Sequence, residues 1–198
     1  MRRTLVAAAV AAALFAANVA VQRATPSPDQ RYAPIASRGG TGHQVDTTTF
    51  QLRVDRVQPA RTIRMTDPYG LVREPRSTPG IWVVVSATVA ATTETFQAQG
   101  ARLRTRAGLE YEASSVLDTL DKVTLQPGIP VYGPLLFEIP ARDLAGAVLS
   151  VTRHADGAGG LDVLGPAVEV DLGLSDAYAS RLLKEMPSSL TVGQVREL

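Results

Sequence analysis

The stretch Gly80 to Ala91, GIWVVVSATVAA, constrains the fold of this chain more than any other. Ile81, Val83, Val85, Ala87 and Val89 fill its odd positions, and Trp82, Val84, Ser86, Thr88 and Ala90 are apolar or small enough to be covered as well. Side chains branched at Cβ are stiff at χ1, and the Pro79-Gly80 pair punctuates the start, so the run predicts a strand and not a helix. A strand apolar on both sides belongs in the middle of a sheet, with a second layer over its odd face.

Other segments supply neighbours. Thr48, Phe50, Leu52 and Val54 alternate with Thr49, Gln51, Arg53 and Asp55, the period of a strand with one dry and one wet face. Ala101, Leu103 and Thr105 alternate with Arg102, Arg104 and Arg106, and after a turn at Ala107-Gly108, Leu109 and Tyr111 alternate with Glu110 and Glu112. Arginines facing glutamates across a hairpin favour one register. Phe96 begins a short strand or turn. Leu125-Gln126-Pro127-Gly128 turns into a strand from Val131 to Ile139, which Pro134 places at an edge or bends. Val148 to Arg153 and Val168 to Leu172 complete the strands.

Between Val57 and Gly80 the prolines and the stretch Asp67-Pro68-Tyr69-Gly70 predict a long connection with a tight turn, across which Thr62 to Met65 and Leu71 to Arg73 pair as a small hairpin. Long loops on rigid scaffolds carry binding residues, which makes Arg61, Arg64, Tyr69, Arg73 and Arg76 the candidate partner-binding set. A solvated loop rich in arginine is the plainer expectation for the same residues.

The ends differ from the middle. Arg2 and Arg3 precede Leu5 to Val21, a stretch without charge, which predicts a signal peptide or signal anchor at residues 1–21. As a helix it would cover about 25 Å, a little less than a bilayer's hydrocarbon core of ~30 Å. Residues 22–42, with Pro26, Pro28, Pro34 and Gly39-Gly40-Thr41-Gly42, are expected to form a flexible linker; a phosphate cradle would need a strand before those glycines and a helix after them. The sandwich is assigned to 43–173. In 174–198, Ser175 caps a helix running through Glu185, with Tyr178, Leu182 and Leu183 as its apolar stripe, and Ser188 to Leu198 is expected to be an unstructured tail.

Composition narrows the chemistry. A chain of 198 residues that is 45% hydrophobic can bury one real core, and its net charge of +1 gives no field that would gather nucleic acid. With no cysteine there are no disulfides, thiolates or lipid-bearing cysteine. His43 and His154, the only histidines, lie far apart, neither with a metal-spaced partner, and are expected on exposed loops. Asp118 and Asp121 have no third catalytic group beside them and are expected to be solvated surface acids. No catalytic, metal or cofactor site is predicted.

Four segments together resemble an exported immunoglobulin-like family common in actinobacteria, domain of unknown function 4352, akin to the immunoprotective extracellular antigen. They are FQLRVDRV at Phe50 to Val57, GIWVVVSATV at Gly80 to Val89, ARLRTRAGLEY at Ala101 to Tyr111 and LQPGIPVYGPLLFEIP at Leu125 to Pro140. The likeness covers about Thr41 to Leu172. It departs from the family at Ala91-Thr92-Thr93, where members often carry asparagine, and in lacking the cysteine that makes many members lipoproteins. No catalytic residue carries over, because the family has none established.

The expectation is therefore an all-β chain: an immunoglobulin-like antiparallel β-sandwich of seven to nine strands, with an N-terminal hydrophobic export or anchor helix and a short C-terminal helix. Its expected role is non-enzymatic, an extracytoplasmic module of the cell envelope, secreted or anchored, that binds a protein or envelope component and no nucleic acid. Two rivals are a membrane-anchored accessory subunit of a transporter or secretion complex, and a hydrolase whose site is assembled from scattered residues.

Overall fold

The structure, a computed structural model, describes residues 34–66, 71–98, 100–114, 119–152 and 165–198, together with 14, 15, 18 and 19. Met1–Ala33 and Pro34–Leu198 are separate units. In the first, the four described residues are helical. Most of the predicted export segment, Leu5 to Val21, lies outside the described residues, among which no helix is long and apolar enough to cross a membrane.

The second unit is built on two sheets. One holds β1 (Ile35–Gly40), β11 (Pro166–Asp171), β10 (Val148–Thr152), β6 (Arg102–Arg104) and β7 (Glu110–Glu112), in that order. The other runs β12 (Ser189–Val192), β3 (Phe50–Met65), β4 (Arg76–Ala91), β9 (Val131–Ile139) and β13 (Arg196–Glu197), with β2 (Gln44–Asp46) also paired to β3. β5 (Phe96–Gln97) and β8 (Thr124–Leu125) pair separately.

As expected, β4 is central, flanked by β3 and β9 along its length. Its odd side chains, Ile81 to Ala91, enter the main core beside Leu135, Phe137 and Ile139 of β9, facing Leu103, Leu149, Val151, Val168 and Val170 of the other sheet. The β6–β7 hairpin has the predicted register, Arg102 opposite Glu112 and Arg104 opposite Glu110. Helix α1 (Asp176–Lys184) starts where predicted, with Ser175 Oγ accepting from the Tyr178 amide at 3.3 Å. Leu182 and Leu183 pack against the main core, whereas Tyr178 is exposed under the Arg181 guanidinium.

Several expectations need correction. Thirteen strands occur among the described residues, not seven to nine, because very short strands leave no periodic signal. The sandwich is not wholly antiparallel: β1 runs parallel to β11, and β12 to β3. The flexible linker ends before residue 42, since Ile35–Gly40 is a strand, and Gly39 is glycine because a Cβ there would collide with Val45 Cγ2. The tail after Ser188 is not unstructured; it forms β12 and β13, with Val192 buried.

The largest correction concerns residues 57–80. β3 continues to Met65 and β4 begins at Arg76, so most of the predicted loop is paired strand. Register shifts occur between Val54 and Arg56 and between Ala60 and Thr62. The first keeps Val57 on the core side despite the break in alternation. At the second, Ala60 pairs with Trp82 but Thr62 with Ser77, leaving Thr78–Ile81 opposite the single residue Arg61. Pro59 is tolerated because β3 has no second neighbour there, lying between its pairings with β2 and β12.

This second bulge folds the hairpin back on its own sheet. Val54, Ala87 and Gly133 lie level across β3, β4 and β9. A straight β3 would carry Thr66, twelve residues beyond Val54, ~40 Å away at ~3.3 Å per residue. Instead Gln194 Nε2 donates to Thr66 O at 2.9 Å, while its neighbour Val195 packs on Gly133. The returning flap brings Ile63 and Met65 onto Trp82, Val84 and Leu136, and Val192 of the tail closes this second cluster. Burial of β4 on both faces thus has two causes, the facing sheet on one side and its own hairpin on the other.

Candidate functional site

The flap distributes the candidate arginines. Directly opposed residues of an antiparallel pair share a face, so Arg76, paired with Ile63, lies on the face of Ile63, and Arg64 on the opposite one. Arg73 is exposed in the connection, its amide donating to Met65 O at 2.8 Å, and Arg76 O accepts from Trp82 Nε1 at 3.1 Å. Arg61 is exposed at the bulge. Tyr69 lies outside the described residues. The four described arginines therefore share one hairpin but not one surface.

Arg61 lines a concavity. An open groove of about 670 Å³ runs along the bulge, lined by Pro79, Gly80 and Ile81 of β4, by Ile139, Pro140 and Ala141 at the end of β9, and by Leu183 and Met186 from the helical side. Arg61 and Glu138 line it as well. The Thr78 hydroxyl donates to the Glu138 carboxylate, holding that acid in place. Arg61 forms no ion pair among the described residues, so its guanidinium is available to a carboxylate arriving with a ligand. Gly80 permits the strands to close here, since a Cβ would run into Ile139 O. An apolar lining that carries Arg61 and Glu138, with Arg61 in no ion pair among the described residues, suits an extended apolar segment that carries an acid.

Arg38, Arg102, Arg104 and Arg106 are already engaged by carboxylates. Arg102 meets Glu110 at 3.5 Å and Glu112 at 3.6 Å, while Arg104 and Arg38 reach Glu169 at 3.1 Å and 2.9 Å. Glu169 is held below the usual carboxylate range, first by the hydrogen bond from Arg38, opposed by its burial and aided by the charge of Arg104. Arg106 binds both oxygens of Asp176 at 3.1 and 3.3 Å, tying the β6–β7 turn to the start of α1. Beside it, a smaller cavity of about 400 Å³ includes Arg142 and Asp143. Tyr111 OH donates to Asp143 Oδ2 at 2.8 Å, which raises the phenol above its ordinary value. These groups satisfy one another at the surface, where exposed ion pairs add little to stability.

Two expectations about chemistry can be placed. His43 is exposed after the Gly42 turn, and His154 lies outside the described residues. Asp121 is not the solvated acid expected: it is buried in the short 3₁₀ turn Leu120–Lys122, and its Oδ1 has no hydrogen-bond partner among the described residues, while Asp118 lies outside them. Among the described residues no group of three or more His, Asp or Glu is placed to hold a metal.

No family model matches the chain, and none of the curated proteins does. Among solved structures the chain is similar to an uncharacterized β-sandwich protein from Clostridium difficile, at 7% identity and TM-score 0.46, covering 74% of this chain and 99% of that one. It is also similar to the secreted protein MPT63 of Mycobacterium tuberculosis, at 16% identity and TM-score 0.46, over 70% of this chain and 97% of that one. The yjhA protein of Bacillus subtilis is 15% identical, with TM-score 0.47, over 67% and 99%.

Sequence patterns pointed to Arg61 but not to the rest of the groove. Its lining is contributed by four segments that a bulge and a helix bring together. Pro79-Gly80 and the closing Pro140 were the available signals, and they read as punctuation.

Proposed function

We propose that this chain is a non-enzymatic binding module of the cell envelope, working outside the cytoplasmic membrane, with the Arg61 to Met186 groove as its contact surface. The observation that carries the proposal is that groove: an apolar lining beside a guanidinium that forms no ion pair among the described residues, at one end of the sandwich. The uncharged stretch Leu5 to Val21 behind Arg2 and Arg3 supports delivery across the membrane. The resemblance of Phe50 to Pro140 to the exported immunoglobulin-like family agrees with both. Its partner is a protein with an extended apolar segment and an acidic residue.

The test is a capture from solubilised membranes with the full chain and with Arg61→Glu and Met186→Glu variants that melt like the parent. A stoichiometric partner retained by the parent and lost by both variants supports the groove. Equal retention by all three rejects it, and recovery of the folded chain in the cytosol rejects the location. A second proposal, an accessory subunit of a transporter or secretion complex, is favoured by the exposed Tyr178–Arg181 pair on α1, the guanidinium 5.0 Å from the ring centroid. It requires an uncut N-terminus and a permease whose capture depends on Tyr178.

A further inference from the structure

The flap that covers Trp82 also gathers charge. Residues 56–76 hold five arginines against two acids, Asp67 and Glu74, whereas the whole chain carries only +1. On the body of the sandwich, Arg38, Arg53, Arg102, Arg104, Arg106 and Arg142 each meet a carboxylate. Arg64, Arg73 and Arg76, nearest the tip of the flap, are exposed and form no ion pair among the described residues. Beside them stand two adjacent apolar side chains, Leu71 and Val72, which are 67% and 59% exposed.

This end of the hairpin is nonetheless held in shape. The Arg73 amide donates to Met65 O at 2.8 Å, Thr66 bridges to Val72, and Gln194 Nε2 donates to Thr66 O at 2.9 Å. Ile63 and Met65 on one arm are buried, while every residue from Leu71 to Ser77 on the other is exposed. The apolar pair and its arginines are therefore presented on a fixed frame, which lowers the ordering cost of a contact.

The chemistry of the tip selects its ligand. A guanidinium suits phosphate oxygens, and aliphatic side chains set among cations gain by leaving water. Arg64 and Arg76 lie on opposite faces of the hairpin, so one peptide strand cannot meet both, whereas a plane approached end-on can. We propose that the tip of the flap docks on an anionic lipid surface. Leu71 and Val72 enter the boundary of the acyl chains, and Arg64, Arg73 and Arg76 meet the headgroup phosphates.

The test uses the full chain with Val72→Cys, its only cysteine, carrying a bimane label that keeps the position apolar. It is mixed with vesicles whose acyl chains bear a nitroxide quencher, made either of phosphatidylcholine with phosphatidylglycerol or of phosphatidylcholine alone. Any attachment through Leu5 to Val21 is common to all samples, and the probe reports position 72. Strong quenching is expected on the anionic vesicles and little on the neutral ones. Each arginine near such a surface is worth about fivefold, so Arg64→Glu, Arg73→Glu and Arg76→Glu together should weaken the contact by roughly a hundredfold or more. Equal quenching on both vesicles, or none on either, overturns the proposal, and that contrast does not depend on the triple variant folding. Quenching that survives the reversal in a variant that melts like the parent overturns it as well. Immobilisation of the probe by polyglutamate, with no quenching on lipid, overturns it in favour of an acidic protein.

Discussion

The two faces of β4 are covered by different means. On the odd side, Val83, Val85, Ala87 and Val89 meet a separate sheet whose strands come from distant parts of the chain, in a cluster that also takes in Phe96, Leu120, Leu125 and Ala179. On the even side, Trp82 and Val84 are covered by their own hairpin and a few tail residues. The first cluster cannot be removed without undoing the sandwich. The second depends on one bulge, one fold-back and one strap, so it should open in parts.

The strongest challenge to this distinction is Phe137→Ala. Phe137 is fully buried between the sheets, and its loss should cost about 3–5 kcal/mol. Urea titration should show a single transition, with Trp82 fluorescence and far-ultraviolet dichroism moving together. Ile63→Ala strikes the second cluster and should cost about 2–3 kcal/mol, near the low end for such truncations because the flap can settle. Here the emission of Trp82, the only tryptophan, should shift to the red at lower urea than the dichroism changes. Coincident transitions would mean that the two clusters are one cooperative unit.

Gly133→Ala is a milder probe. Its Cβ forces Val195 aside at a cost of about 1 kcal/mol, visible as faster exchange of the β13 amides with β4 unchanged. The smallest effect belongs outside both clusters, at Glu169. Its carboxyl is held low by Arg38 and Arg104, so the folded state binds a proton less readily than the unfolded chain. That stability is present above the unfolded value and is lost as pH falls through the ordinary carboxylate range to the lower folded value. Glu169→Gln should therefore cost a few tenths to about 1 kcal/mol at neutral pH and nothing once the pH is below the folded value, as measured by denaturation at a series of pH values.

Where local pattern and final environment agreed, the chain was legible. β4 announced itself through consecutive β-branched residues, the β6–β7 hairpin through facing Arg102, Arg104, Glu110 and Glu112, and α1 through Ser175. The flap was not, because the bulge at Asp55 breaks the alternation and Pro59, Pro75 and Pro79 resemble loop residues. Strand β1, reading Ile-Ala-Ser-Arg-Gly-Gly, and the tail, with only Leu190, Val192 and Val195 as apolar anchors, carry too little hydrophobic signal to claim sheet edges. Of the candidate site, Arg61 was singled out for its charge and its place in a predicted loop, which is a bulged strand in the structure. The groove around it was hidden, because it arises where residues distant in sequence meet.

The fold-back itself is open to direct measurement. The chain has no cysteine, so spin labels can be placed through single cysteines at Thr66 and Thr88 without removing anything else. Thr88 pairs with Arg53, and a straight hairpin would separate the two labels by ~40 Å at ~3.3 Å per residue. With Thr66 laid back toward Gly133, pulsed electron resonance should report a distance under roughly 25 Å, given residue spacings of ~3.8 Å. A distribution centred near the longer distance would contradict the returning hairpin, and with it the second cluster.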